Sequence, residues 1–126
     1  MAPCIFCMHN AAHELGRAGE AAAAAFLIQQ GFEVLFRSYR HGRAEVDLVV
    51  CQGRALLVFA EVKARSSSQF GYPETFVSER KKQLFRLAAE QLQLDLDWTG
   101  DIRFDILAVT PVANDFRIEH FEDAFY

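Results

Sequence analysis

The chain has 126 residues, 52% of them hydrophobic, and a formal net charge of −4. That length fits one domain with a single core and leaves little room for a second. No apolar run approaches the roughly 18 residues of a membrane span, and three cysteines are too few and too odd in number for a disulfide scaffold.

Met1 to Asn10 has neither a basic n-region nor an apolar h-region, so no signal peptide is expected and the expected compartment is the cytoplasm. The segment reads as a disordered tail. Its Cys4-x-x-Cys7, followed by His9 and His13, has a spacing that can supply metal ligands, but no second half-site of the zinc-ribbon kind accompanies it. Ala11 to Gln30 predicts a helix, rich in Ala, with Leu15, Ala22 and Phe26 at helical spacing and Gly31 as its stop. Phe32 to Phe36 predicts a short strand, and Arg37 to Arg43 a basic, polar connection. Glu45 to Cys51 alternates as a strand, with Cys51 a buried thiol. Gln52-Gly53 supplies a turn. Ala55 to Ala64 is nearly continuous in apolar residues, as a central strand covered on both faces should be.

Ser66 to Pro73 reads as a loop. Ser78 can cap a helix that runs to about Leu94, with Leu84, Leu87, Ala88 and Gln91 continuing the period. Ile102 to Val109 and Phe116 to Phe121 predict two more strands, the last at an edge. The order is α-β-β-β-α-β-β, an α/β chain with a mixed α+β sheet, and residues 11–126 form one domain.

Two charged residues interrupt the central strand at i and i+2, Glu61 and Lys63, and therefore share a face. Burying them unpaired costs several kcal/mol, so they need partners or a function. Glu45 and Asp47 repeat the pattern on the preceding strand. Carboxylates grouped this way suit hard divalent cations with oxygen ligands. A neighbouring lysine can orient or deprotonate a water, or stabilise charge developing on a phosphate. The plainer alternative is a buried Glu61–Lys63 ion pair. Glu20 lies on the first helix among small neighbours, Gly16, Ala23 and Ala24, which would let a strand or a metal approach; alone it reads equally as an exposed helix glutamate.

Gly16-Arg-Ala-Gly-Glu20, Glu45-Val-Asp-Leu48, Phe59-Ala-Glu-Val-Lys63-Ala-Arg65, Val77-Ser-Glu-Arg-Lys81 and Arg103-Phe-Asp-Ile106 resemble, in order, the motifs of the YraN-like bacterial family. That family is predicted to be endonucleases, similar to archaeal Holliday-junction resolvases within the PD-(D/E)xK superfamily. The resemblance runs from about His13 to Ala124-Phe125. It implies a restriction-endonuclease-like core, with Asp47 as the acid of the second strand, Glu61 and Lys63 as the (D/E)xK pair, and Glu20 as the helix glutamate. It also implies magnesium or manganese as cofactor. The family usually has Gly before Glu-x-Asp; here Ala44 stands there, and a positive φ would strain it.

Charge is distributed unevenly. Residues 1–94 carry 11 Lys+Arg and 9 Asp+Glu, net +2, whereas residues 95–126 carry 2 and 8, net −6. A DNA-facing side can thus be basic on an acidic protein. Arg37, Arg40, His41 and Arg43 precede Asp47, and Arg65 follows Lys63. Arg80, Lys81 and Lys82 occupy a helix start, where cations oppose the dipole unless a phosphate docks; a solvated charged face is the alternative. The leading expectation is a metal-dependent endonuclease acting on DNA, branched DNA being one form. Asp47 and Glu61 would bind the metal, Glu20 would assist directly or through water, Glu45 would be an outer-shell group, and Lys63 would act on the attacking water. The other expectations are a non-catalytic nucleic-acid-binding module, or an interaction domain using the edge strand near Phe116. A homodimer is compatible with either.

Strand parity sets a geometric condition. A two-residue Gln52-Gly53 loop would pair Asp47 with Val58 and put Glu61 on the opposite face. The site requires an odd connection or a bulge. With a three-residue loop, Cys51 is expected opposite Ala55, Asp47 opposite Phe59 and Glu45 opposite Glu61.

Overall fold

An alanine-rich segment with few branched side chains makes the first helix, α1 (Ala11–Gln29). It ends where Gly31 takes φ 96°. The amide of Phe32 donates to the carbonyl of Leu27 and that of Gly31 to Ile28, both at 3.0 Å, so the last carbonyls are satisfied. The structure, a computed structural model, describes residues 11–65 and 77–126, with side chains from residue 14 onward. The expected tail, its Cys4, Cys7 and His9, the side chain of His13 and the loop Ser66–Pro73 lie outside the described residues.

Five strands follow: β1 (Glu33–His41), β2 (Ala44–Gln52), β3 (Leu56–Ala64), then helix α2 (Glu79–Asp95), β4 (Asp101–Val112) and β5 (Asp115–Phe125). They form one mixed sheet in the order β1-β2-β3-β4-β5. Only the β3–β4 pair is parallel; α2 lies between those strands in the chain, as a parallel connection needs a crossover. The order α-β-β-β-α-β-β and the mixed sheet are as the sequence predicts.

The two helices cover opposite faces. On one, Ala23, Ala24 and Leu27 of α1 pack with Leu48, Val50, Val58, Ala60, Leu107 and Val109. On the other, Phe85, Ala88, Ala89 and Leu92 of α2 pack with Val49, Cys51, Leu57, Phe59, Phe104 and Ile106. Phe59, Phe85, Phe104 and Phe125 form edge and stacked ring contacts there. β3 is buried from Leu57 to Val62, which accounts for its apolar run, broken there by Glu61 alone. Burial pushes the Cys51 thiol up, with Glu33 adding to the effect, and Cys51 is a buried free cysteine.

β1 is longer than the sequence suggested. Arg37 to His41, expected as a connection, is strand, and the link to β2 is a tight turn with Gly42 at φ 59°. The apolar alternation is obscured because β1 is an edge strand with a bulge at Leu35, and none of its residues is fully buried. The positive φ falls on Gly42 and not on Ala44, which sits in β2 and is 2% exposed, so the expected strain is absent.

Gly100 docks the end of the α2–β4 connection against the β2–β3 loop. A Cβ there would lie 2.4 Å from the Arg54 carbonyl oxygen and 2.7 Å from that of Ala55. The amide of Asp101 donates to Ala55 at 2.8 Å, so these backbones cannot simply separate. Gly100→Ala is expected to destabilise the fold by about 2–3 kcal/mol, measured by urea denaturation. A loss under about 0.5 kcal/mol would mean the loop shifts freely.

Candidate active site at a strand fork

β2 and β3 pair only from Gln52↔Leu56 to Leu48↔Ala60. Beyond that step the strands part. β2 stays with β1 as far as His41↔Ala44, and β3 stays with β4 as far as Ala64↔Val109. Asp47 and Glu61 are the first residues past the fork. One carboxylate oxygen of Asp47 accepts the Val62 amide at 2.8 Å, replacing the ladder bond that the parting strands lose. β2 changes course here. Ala44 and Val46 pack on the α2 side, whereas Leu48 and Val50 pack on the α1 side. Ser38, beside Asp47 on β1, has φ 55° and makes no paired step.

The connection is odd, as the parity condition requires: Gly53, Arg54 and Ala55 form a three-residue loop. The register differs from the expected one by two residues. Cys51 pairs with Leu57, not Ala55, and the same register carried past the fork sets Asp47 opposite Glu61 instead of Phe59. Parity is preserved, so the two carboxyls lie close enough for Asp47 to add to the effect of burial in pushing the Glu61 carboxyl up.

Glu61 is 3% exposed. Its Oε1 accepts from the Lys81 ammonium at 2.8 Å, with Lys63 at 3.8 Å from the same oxygen. Its Oε2 is buried with no hydrogen-bond partner. Glu20 approaches the fork from α1, close enough for Asp47 and Glu45 to add to the effect of burial in pushing its carboxyl up. The approach is possible because Gly19 faces β3, where a Cβ would come within 3.1 Å of the Ala64 Cβ; Gly16, the glycine singled out from sequence, meets nothing. Glu45 contributes negative potential to both Glu20 and Asp47, and pairs with Arg40 at 3.4 Å on the exposed side.

Like charges crowded into a partly dry fork resist ionisation. Burial, then Asp47, pushes the Glu61 carboxyl up to about 7, against the pull of Lys81 and Lys63. Asp47 is raised mainly by burial, opposed by the Val62 amide and Lys81. Glu20 is raised by burial, Asp47 and Glu45. Among the described residues no three His, Cys, Asp or Glu side chains stand as a ready-made metal shell. The donors nevertheless fit a hard divalent cation: they are carboxylate oxygens, one of them orphaned and buried.

The basic residues separate into groups. Arg43, Arg80 and Lys81, with Glu45, Ser78 and Leu84, line a cavity of about 260 Å³ beside the fork. Ser78 caps α2, its Oγ accepting the Lys81 amide at 3.1 Å. Lys82 turns to Glu79 at 3.1 Å. Arg37 is exposed on β1, and the Arg65 amide donates to the Val109 carbonyl at 2.9 Å. Lys81, read from sequence as a phosphate contact, is thus within the carboxylate cluster. The helical spacing held the signal, since Lys81 shares a face of α2 with Leu84 and buried Phe85.

A second buried network went unread. Asp105, fully buried, accepts two bonds from Arg103 at 2.8 and 2.9 Å, one from His120 Nε2 at 2.7 Å and one from the Asp123 amide at 3.0 Å.

The model of the uncharacterised protein family UPF0102 matches residues 19–109 of the chain. A UPF0102 protein of Flavobacterium psychrophilum is 42% identical over 118 residues, covering 94% of this chain and 96% of its own. One from Anaeromyxobacter dehalogenans is 45% identical over 112 residues, covering 88% and 83%, and one from Chlorobium phaeobacteroides 39% over 122 residues, covering 90% and 94%. The structure of Pyrococcus furiosus SfsA in complex with Ca2+ aligns with a TM-score of 0.38 at 14% identity, covering 88% of this chain and 63% of that one, too distant a likeness to bear on the site. The chain belongs to UPF0102, the YraN-like family that its ordered motifs resemble.

Proposed function

We propose that this UPF0102 member is a metal-dependent endonuclease that hydrolyses phosphodiester bonds of DNA, branched DNA included. The single observation behind the reading is the fork itself: half-buried Asp47 and buried Glu61 lie together there, with one carboxylate oxygen of Glu61 unpartnered. Such a group is costly unless a ligand uses it.

Asp47 and Glu61 would hold Mg²⁺ or Mn²⁺, with Glu20 joining directly or through water and Glu45 behind them. A divalent cation at these oxygens supplies charge for the phosphate and acidifies water. Lys63, on the face of Glu61 and partly open to solvent, orients the attacking water and stabilises the negative charge that develops on the phosphate. Arg43 and Arg80 hold a neighbouring backbone phosphate in the cavity they line. Arg37, Arg40, Arg65 and Lys82 extend the basic surface. The fork brings α1 and α2 groups together because neither β2 nor β3 closes it.

The test is a cleavage assay on linear, flapped and four-way DNA with Mg²⁺, Mn²⁺ or EDTA. Cleavage is expected with either metal and none in EDTA. Lys63→Ala is expected to lose roughly a hundredfold or more in rate while still binding metal. Metal-independent cleavage would sink the mechanism.

One observation favours a second reading. Lys81 already sits on Glu61, and no ready-made metal shell stands among the described residues. A non-catalytic DNA-binding module would show salt-dependent DNA binding with no cleavage under any metal.

A further inference from the structure

Three consecutive basic residues at the start of α2 point three ways. Arg80 lines the cavity, Lys82 pairs with Glu79, and Lys81 reaches the fork. Lys81 lies at the boundary of two environments. Its ammonium is 2.8 Å from Glu61 Oε1, and its side chain also lines the cavity shared with Arg43 and Arg80. Its backbone is fixed by the Ser78 cap, so only the flexible stem need move. Lys63 differs: it is 1 Å farther from the same oxygen, and its backbone is held in the β3–β4 ladder opposite Ala108.

A divalent cation on the free Oε2 of Glu61 would lie close to the Lys81 ammonium on Oε1, and like charges at that range repel strongly in a partly buried site. Asp47 and Glu61 together balance Lys63 and Lys81. A divalent ion added to that set, even with Glu20 beside it, leaves an excess of positive charge, which a DNA phosphate can take up if one lysine turns to it. Lys81 is the lysine with a cavity to turn into.

We infer that Lys81 is a place-holding cation and positioning residue: without a divalent ion it neutralises Glu61, and with one bound it swings to a DNA phosphate in the adjoining cavity, an inference that rests on the nuclease reading above. The resting site is thereby closed to weak cations, and metal and DNA assist each other's binding. Metal frees Lys81 for the phosphate, and the phosphate draws Lys81 away from the oxygens the metal uses.

The test is Mn²⁺ titration by calorimetry, without DNA, on the wild type, Lys81→Met and Lys63→Met. Lys81→Met is expected to bind Mn²⁺ about tenfold more tightly than the wild type, and Lys63→Met to gain less. DNA binding supplies a second readout. In Ca²⁺ the salt slope of the wild type is expected to exceed that of Lys81→Met by about one unit, and in EDTA the two should coincide. Lys81→Gln, shorter and also neutral, repeats both measurements if the methionine variant fails to fold. Equal or weaker Mn²⁺ binding by the Lys81 variants would overturn the place-holding role while leaving the metal site standing. No Mn²⁺ binding by any of the proteins would remove the nuclease reading itself, and this inference with it.

Discussion

At pH 8 without metal, Glu61→Gln is expected to be more stable than the wild type by about 1–3 kcal/mol, and to cleave DNA at least about a hundredfold more slowly once metal is added. The stability half follows from the sign of the Glu61 shift. Burial and then Asp47 push this carboxyl from its ordinary value of 4.5 up to about 7. The folded chain thus binds the proton more tightly than the unfolded chain does. The favourable contribution is full below the unfolded value, near pH 4.5, and is lost as pH rises through about 7. The full window corresponds to about 3 kcal/mol, an upper figure. Gln keeps the size and removes the charge, so its stability should vary little over that range. Urea denaturation at pH 5 and pH 8 measures it: the gap between the proteins should open at pH 8 and shrink at pH 5. Mg²⁺ should raise the wild-type melting temperature and leave the variant unmoved. Calorimetry at pH 7 should also show proton release on Mg²⁺ binding by the wild type. A variant less stable than the wild type at pH 8 would mean that Lys81 more than compensates the buried charge. A gap equal at both pH values would mean that the carboxyl does not titrate between them.

The residues at the fork were legible to different degrees, for identifiable reasons. Glu61 and Lys63 stood out because charges at i, i+2 in an apolar run have a short list of explanations. The parity of the β2–β3 connection was legible because the proposed sharing of a metal by Asp47 and Glu61 would demand it. The register was not, because the loop is set by tertiary contacts: Gly53 takes φ 53°, Arg54 lies over the Trp98 ring, and the Ala55 carbonyl accepts from Asp101. The last two of these are not local. β1 was cut short because its outer half is exposed and kinked at Ser38, so its alternation carries little burial. Lys81 was assigned to the DNA side because helix-start cations suggest phosphate. Its shared face with Phe85 was equally visible and pointed inward. Arg103 and Asp105 repeat the i, i+2 charge pattern of Glu61 and Lys63 in a buried strand, and the same argument applied there predicts the ion pair that forms.

That pair is the basis of the largest expected loss of stability, for Asp105→Ala, about 3–5 kcal/mol. β4 and β5 run in register from Val112↔Asp115 to Ile106↔Phe121, then resume at Phe104↔Phe125. Glu122, Asp123 and Ala124 therefore bulge out opposite Asp105 alone, with Asp123 at φ 51°. Asp105 staples the bulge by accepting the Asp123 amide, and its carboxylate is the counter-ion of Arg103. Its pKa is lowered although burial alone would raise it: His120, Arg103 and the Asp123 amide together outweigh burial. An ionised Asp105 means that His120 Nε2 donates to it, and the His120 ring meets the edge of Phe26 on α1, so the staple also ties β5 to α1. Removing the carboxylate leaves a guanidinium, an imidazole and a backbone amide without their shared acceptor. The sign of the pH dependence is opposite to that of Glu61. A lowered carboxyl contributes fully above its ordinary value of 3.8 and loses that contribution only as pH falls below it. Wild-type stability without metal should therefore fall on both sides of a maximum near pH 4 to 5 as far as these two groups set it. Asp105→Ala should flatten the acid limb and Glu61→Gln the alkaline one. Asp105 pairs with Ala60 in the ladder, on the face away from Glu61. Folded at low temperature, Asp105→Ala should consequently keep the wild-type affinity for Mn²⁺ and lose only the denaturation midpoint. A variant with wild-type stability at pH 7 would show that the bulge holds without its staple. A variant that unfolds no earlier but binds Mn²⁺ poorly would place Asp105 in the service of the fork instead.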